Sequence, residues 1–236
     1  MAAEPIFHFW GFTVTNSLLS TWIVMGILIL LAVFISRNAK LIPTGLQNFF
    51  EKILETMYDL SVSVAGEKAP VFFPLTFTFF LFIICANWFG LIPGIGSIGF
   101  HEGEKFVPYL RAATSDLNTT LALAIVSMFC VQYYGFKFQK GHYLKKFLNF
   151  SSPIMFFVGI LEFISDISKI ISFSFRLFGN IFAGEVLLMV IAFLVPVVGT
   201  LPFFGLELFV GFIQALVFSM LTLVFLNVAS AAHEEA

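Results

Sequence analysis

Six charged side chains sit inside two otherwise apolar stretches of this chain: Glu162, Asp166, Lys169 and Arg176, then Glu185, in residues 153–195, and Glu207 in residues 202–230. A charge near the centre of a bilayer costs at least ~2.5–3.5 kcal/mol on insertion scales, so such residues normally face a bundle interior or water and mark an ion path. Carboxylates can take up and release a proton; an arginine cannot shed its own at any accessible pH. Glu162, Asp166 and Lys169 share one helical face with opposite signs, which suits either a salt-bridged face or the wall of a pathway. Arg176 lies among Phe173, Phe175, Leu177 and Phe178, with no anion beside it in sequence. Lysine can neutralise itself through a pKa shift and arginine cannot, so Arg176 calls for an anion on another helix or another subunit.

Register places these groups. The two segments form an antiparallel hairpin turning near Pro196–Pro202. Arg176 and Gln214 are equidistant from residue 195, and Glu185 and Glu207 from residue 196, so each pair should share a level. Glu207 and Gln214 are seven apart and share a face, whereas Glu185 is nine residues past Arg176, half a turn round the helix. Arg176 then separates an acidic group near the turn from another near the start of the hairpin. Titratable groups open to each side, divided by a permanent cation, describe a proton path with a barrier in it. Two carboxylates sharing a site cannot easily both ionise, so one of Glu185 and Glu207 is expected to hold a proton near neutral pH.

The elements that position these residues are membrane helices. Of 236 residues, 59% are hydrophobic and 11% charged, against about 25% charged in a soluble domain. The mean hydropathy is +0.99, and the bilayer is the natural solvent for such a chain. Apolar segments fall at 18–35, 71–92, 117–136, 153–195 and 202–230. Between the first two, Phe49, Phe50, Ile53, Leu54, Met57 and Leu60 follow helical spacing opposite Gln47, Glu51, Lys52, Glu55 and Asp59. With Pro43 ahead of it, this stretch reads as an amphipathic surface helix over 43–65. The fold class is therefore all-α: about five membrane-embedded helices plus one interfacial helix, in a single membrane domain over 1–236. The fourth segment spans 43 residues, or about 64 Å of helix against a hydrocarbon layer of about 30 Å. A steeply tilted single helix is favoured over a break near Ser172–Asn180. Lysine and arginine concentrate after the first and third spans (Arg37, Lys40, Lys52 and Lys68; Lys137, Lys140, Lys145 and Lys146), which puts those loops in the cytoplasm. The tail over 1–17 is then external, and the end of the chain cytoplasmic.

Several motifs resemble one family. The stretches SFRLFGNIFAGE (Ser174–Glu185) and LFVGFIQALVFSMLTLVFL (Leu208–Leu226) resemble the arginine motif and last helix of subunit a of bacterial and chloroplast ATP synthases. IPTGLQNFFE (Ile42–Glu51), ANWFGLIPG (Ala86–Gly94) and SDLNTTLALA (Ser115–Ala124) match in the same order. The resemblance implies a proton-translocating stator subunit whose hairpin over 153–232 faces a ring of small c-type subunits, beside peripheral-stalk b-type subunits. It implies that Arg176 strips the proton from an arriving ring carboxylate and blocks leakage between two aqueous half-channels. Glu185 and Glu207 match the polar pair of the outer half-channel, and Gln214 and Asn180 match polar residues beside the arginine. Many relatives carry a histidine at one of the two acid positions; here both are glutamates. The localisation it implies is a bacterial plasma membrane.

Other polar residues have two readings. Asp116 and Asn118 either cap the third span or contribute to a half-channel. Asn87 either bonds a neighbouring helix or lines the channel. Cys85 and Cys130 lie in apolar runs as structural thiols, and His8, His101, His142 and His233 have no ligand spacing, so no metal or other cofactor is expected. The first apolar run lacks a basic flank, so no cleavable leader is expected. No GxxxxGK[ST] occurs, which argues against direct ATP binding through a P-loop, and no basic run suggests nucleic acid; the resemblance implies a non-catalytic ion-channel subunit. A secondary ion antiporter is the alternative, but no inverted repeat is visible. An intramembrane hydrolase would need a paired aspartate or nucleophile, and Asp166 stands alone; a mere membrane scaffold has no use for Arg176.

Overall fold

The computed structural model describes residues 5–9, 12–37, 40, 45–95, 98–102, 105–140, 143, 153–196 and 198–231. Helix α1 (Asn16–Arg37) is followed by α2 (Leu46–Ala65), a 3₁₀ turn (Gly66–Lys68) and α3 (Ala69–Gly90). Next come α4 (Leu117–Gln139), α5 (Pro153–Leu194) and α6 (Thr200–Ser230). Among the described residues, five helical stretches are long and apolar enough to cross a membrane, the second joining α2 to α3. Chain punctuation sets the boundaries. Gly66, at φ 53°, ends α2 in the left-handed region that glycine tolerates. Pro70 opens α3, where a missing N–H costs nothing. Asp116 caps α4 by accepting a hydrogen bond from the Asn118 N–H at 3.0 Å.

The long fourth segment is one continuous 42-residue helix, running through both Gly179 and Gly184. The interior packs α3, α5 and α6 through Phe79, Phe80, Ile83, Phe173, Leu177 and Phe218. A second cluster joins α3, α4 and α6 through Phe72, Met128, Val131, Leu223 and Leu226. Buried hydroxyl pairs also link the helices, Thr120 with Ser174 at 3.1 Å and Ser127 with Thr222 at 2.8 Å. In lipid, where apolar packing alone gives helices little preference for one another, such polar contacts help to fix which faces meet. Leu30, Phe34, Phe129, Phe163 and Phe193 point outward, as a hydrocarbon solvent permits.

Helix α2 packs Met57 and Ala65 inward and leaves Phe49 and Leu54 exposed. Its expected start at Pro43 lies outside the described residues. Two short antiparallel hairpins flank the same end of the bundle, β1 (Pro5–Phe9) with β2 (Phe12–Thr15), and β3 (Gly99–Glu102) with β4 (Lys105–Pro108). The tail over 1–17 is thus partly ordered as strands, which its run of aromatic and β-branched residues favours.

Candidate functional site

Arg176 sits mid-way along α5 with its side chain exposed on the flank of the bundle. Its guanidinium reaches Ser172 Oγ at 3.5 Å, and it has no ion-pair partner among the described residues. Gln214, 5% exposed, donates from Nε2 to the Arg176 carbonyl at 2.7 Å, which fixes the level of the two helices as register requires. Asn180, one turn further along α5, shares the exposed side.

At the α5–α6 turn end the two glutamates come together in an unequal way. Glu207 is 6% exposed, and its carboxyl group lies against the backbone of Gly184. A Cβ on residue 184 would stand 2.0 Å from that carboxyl, so only glycine leaves room for it. No hydrogen bond or ion pair holds Glu207 among the described residues. Glu185 is instead paired with Arg111, whose Nε and NH2 both approach Oε2, at 3.3 and 3.0 Å.

Arg111 is brought there by the segment leading into α4. Its backbone N–H donates to Ser20 Oγ of α1 at 3.1 Å. Ala112 seats against Gly90 at the end of α3, where any Cβ would lie 2.3 Å from the alanine methyl. Ala113, Thr114 and Ser115 then form a buried 3₁₀ turn inside the helix ring. Asn87 spans the gap: its Nδ2 donates to the Gly211 carbonyl at 2.9 Å and its Oδ1 accepts from Thr114 at 2.6 Å. Of its two readings, Asn87 bonds neighbouring elements. Asp116 caps α4 and also accepts from Ser17 Oγ at 2.7 Å; Asn118 is exposed.

Toward the start of α5 lies a second polar group. Asp166 pairs with Lys169 at 2.7 Å and accepts from Gln132 at 2.7 Å; Gln132 in turn accepts from the Tyr143 hydroxyl at 2.7 Å. Lys169 also stands over the Phe225 ring, 5.1 Å from its centroid. Burial, with the negative charges of Asp166 and Glu162 adding to it, pushes the Tyr143 phenol up to about 12. Glu162 thus joins this group electrostatically. An apolar groove of about 700 Å³ between α4 and α5 opens beside Gln132 and Asp166. The salt-bridged reading of Asp166 and Lys169 is therefore realised, and a groove runs alongside it.

Among the described residues no set of three or more His, Cys, Asp or Glu is placed to hold a metal ion. The family model described as ATP synthase A chain matches residues 18–227. The chain belongs to the ATP synthase A chain family. An ATP synthase A chain is an integral subunit of the membrane sector and takes part in proton transport during ATP synthesis. The match runs from within α1 to within α6 and takes in both polar groups and Arg176 between them.

Sequence reasoning missed four residues that this A chain puts at the polar groups: Arg111, Gly184, Gln132 and Tyr143. Arg111 reads as one loop charge balanced by Glu102, Glu104 and Asp116. Its signal was position, a cation directly before the small, hydroxylated run Ala112–Ser115 that enters the bundle. Gly184 reads as a weak point of a helix, and only its contact with Glu207 reveals its use.

Proposed function

We propose that this chain provides two aqueous half-channels and the arginine barrier between them, and loads and unloads the carboxylates of a rotating ring of small c-type subunits. The observation that carries the reading is the placement of Arg176, an exposed permanent cation flanked along the hairpin by two separate polar groups. At 1.5 Å per residue, Glu162 lies about 21 Å from Arg176 along the helix and Glu185 about 13.5 Å the other way. A cation left without an anion on a membrane-facing flank is supported only if another subunit brings one. A ring carboxylate arriving there gives up its proton because its anion is stabilised by the guanidinium. It regains one only after moving past the barrier.

In this reading Glu185 and Glu207 belong to the outer half-channel, and Glu162, Asp166 and Lys169 to the inner. Gln214 holds the hairpin in register beneath the arginine, and Asn180 lies beside it on the ring-facing side. Asp116 and Asn118 stand at the outer entrance, and Asn87 ties together the elements behind it. The chain is non-catalytic, binds no ATP itself, and docks b-type stalk subunits. It sits in a bacterial plasma membrane with the N-terminus outside and the C-terminus in the cytoplasm. Co-purification with a ring of small subunits, and cross-linking of an Asn180→Cys variant to them, is the expected result. A chain that purifies without such a ring and cross-links to none overturns the reading. Labelling of a thiol at residue 236 from the outside alone would reverse the proposed orientation.

A further inference from the structure

We propose that Arg111 is the positioning residue that divides the work of the two glutamates. It pins the Glu185 carboxylate in the channel wall and leaves Glu207 as the group that carries the proton. The inference rests on the half-channel reading above and goes beyond it, since that reading leaves the two carboxylates equivalent.

The two sites differ in what touches them. Glu185 receives two guanidinium N–H groups on one oxygen, and the two side chains are only 12% (Arg111) and 25% (Glu185) exposed. Charge-assisted bonds of this kind are stronger and more directional than neutral ones, and guanidinium does not surrender its own proton. A carboxylate so held is a poor carrier, because passing a proton through it means breaking both charge-assisted bonds. Arg111 cannot easily follow it away. Its backbone is tied to Ser20, and the next residue is wedged against Gly90. Glu207 has neither constraint. Its carboxyl rests on the bare backbone of Gly184, with no donor from the described residues committed to it. It is therefore able to exist neutral or charged, and to turn between the entrance and the ring. The charged group level with it on α5 is Glu185, whose carboxylate is ion-paired to Arg111.

Loss of Arg111 alone should then leave Glu185 as an uncompensated second proton trap beside the carrier. Loss of both members should remove the trap. The test uses the assembled ATP synthase in inverted membrane vesicles, with ATP-driven pumping normalised to the amount of complex. Arg111→Gln should slow pumping roughly tenfold or more, and Arg111→Lys, which keeps a cation, should recover at least half of the rate. Arg111→Gln placed in a Glu185→Gln background should add less than about twofold, because residues acting as one unit are not additive. The double variant leaves no Glu185 carboxylate without its cation and so should accumulate even if Arg111→Gln alone does not. Independent losses in the two backgrounds overturn the inference. So does an Arg111→Lys variant that accumulates normally yet pumps no better than Arg111→Gln. Glu207→Gln separates the two levels: near-normal pumping by it would sink the half-channel reading itself. A severe loss there, with independent Arg111 and Glu185 effects, would sink only the role given to Arg111.

Discussion

Replacing Gly184 with alanine would place a methyl group 2.0 Å from the Glu207 carboxyl carbon and 2.0–2.1 Å from its oxygens. Ordinary contact begins near 3.4 Å, so the carboxyl must retreat by about 1.4 Å. The obstacle is the far end of a flexible side chain, and pushing it off its rotamer costs about 0.5–1.5 kcal/mol. Alanine in a helix interior returns about 0.8–1 kcal/mol relative to glycine. Stability should therefore change by less than about 1 kcal/mol, and the complex should assemble. Transport should not escape so lightly. Misplacing a reacting group by 1 Å can cost about 10²-fold, equivalent to about 2.7 kcal/mol of barrier. ATP-driven proton pumping in inverted vesicles should fall by that order while immunoblots show a normal amount of the chain. Glu207→Asp shortens the side chain by about 1.5 Å, so adding it to Gly184→Ala should restore part of the rate. Full-rate pumping by Gly184→Ala, or no recovery in the pair, would refute the placement of Glu207 against this glycine as functionally relevant.

Asn87→Ala should leave the Gly211 carbonyl and the Thr114 hydroxyl short of a partner, costing about 1–3 kcal/mol and lowering the thermal midpoint of the detergent-solubilised complex. An unchanged midpoint would mean that neither bond matters in the assembly. The Tyr143 phenol is raised from 10.0 to about 12 by burial first and the nearby acids second. Its contribution to stability is thus fully present below pH 10 and is lost as pH rises from about 10 to 12. Tyr143→Phe should flatten the alkaline branch of a helix-content titration over that window, and an unaltered branch would contradict the assignment. Asp116→Ala removes both the α4 cap and the bond from Ser17; about 1 kcal/mol should be lost from the cap, readable as faster proteolysis near residue 116.

Much of this architecture could be read before any coordinates. Hydropathy marks the spans because lipid demands long apolar helices, and the match extends to α5, whose length ruled out a simple crossing. Register alone put Gln214 level with Arg176, and the two are joined by a hydrogen bond. It also put Glu207 level with Glu185, and the carboxyl meets the residue just before it, Gly184. Helical geometry propagates along a hairpin, so counting from the turn works. The Arg111–Glu185 pair does not follow from any such count. It joins residues 74 apart through a segment whose path depends on Gly90, Ser20 and a buried 3₁₀ turn. The pattern of two nearby acids suggested a shared proton, and the cation on Glu185 came from outside that pattern. Tyr143 and Gln132 were hidden for the same reason. Nothing in the local sequence around Asp166 names the partners that another helix and a connecting segment bring to it.

If the exposed cation on α5 separates two half-channels, as proposed, it must meet a carboxylate from the ring. ATP-driven pumping by Arg176→Ala enzyme in inverted vesicles tests it most directly, with Arg176→Lys alongside. The alanine variant should pump nothing although the soluble sector still hydrolyses ATP. The lysine variant should be largely defective too, because lysine can neutralise itself and lacks the planar fork. Near-normal pumping by the lysine variant would show that any positive charge suffices there. Near-normal pumping by the alanine variant would contradict the barrier altogether.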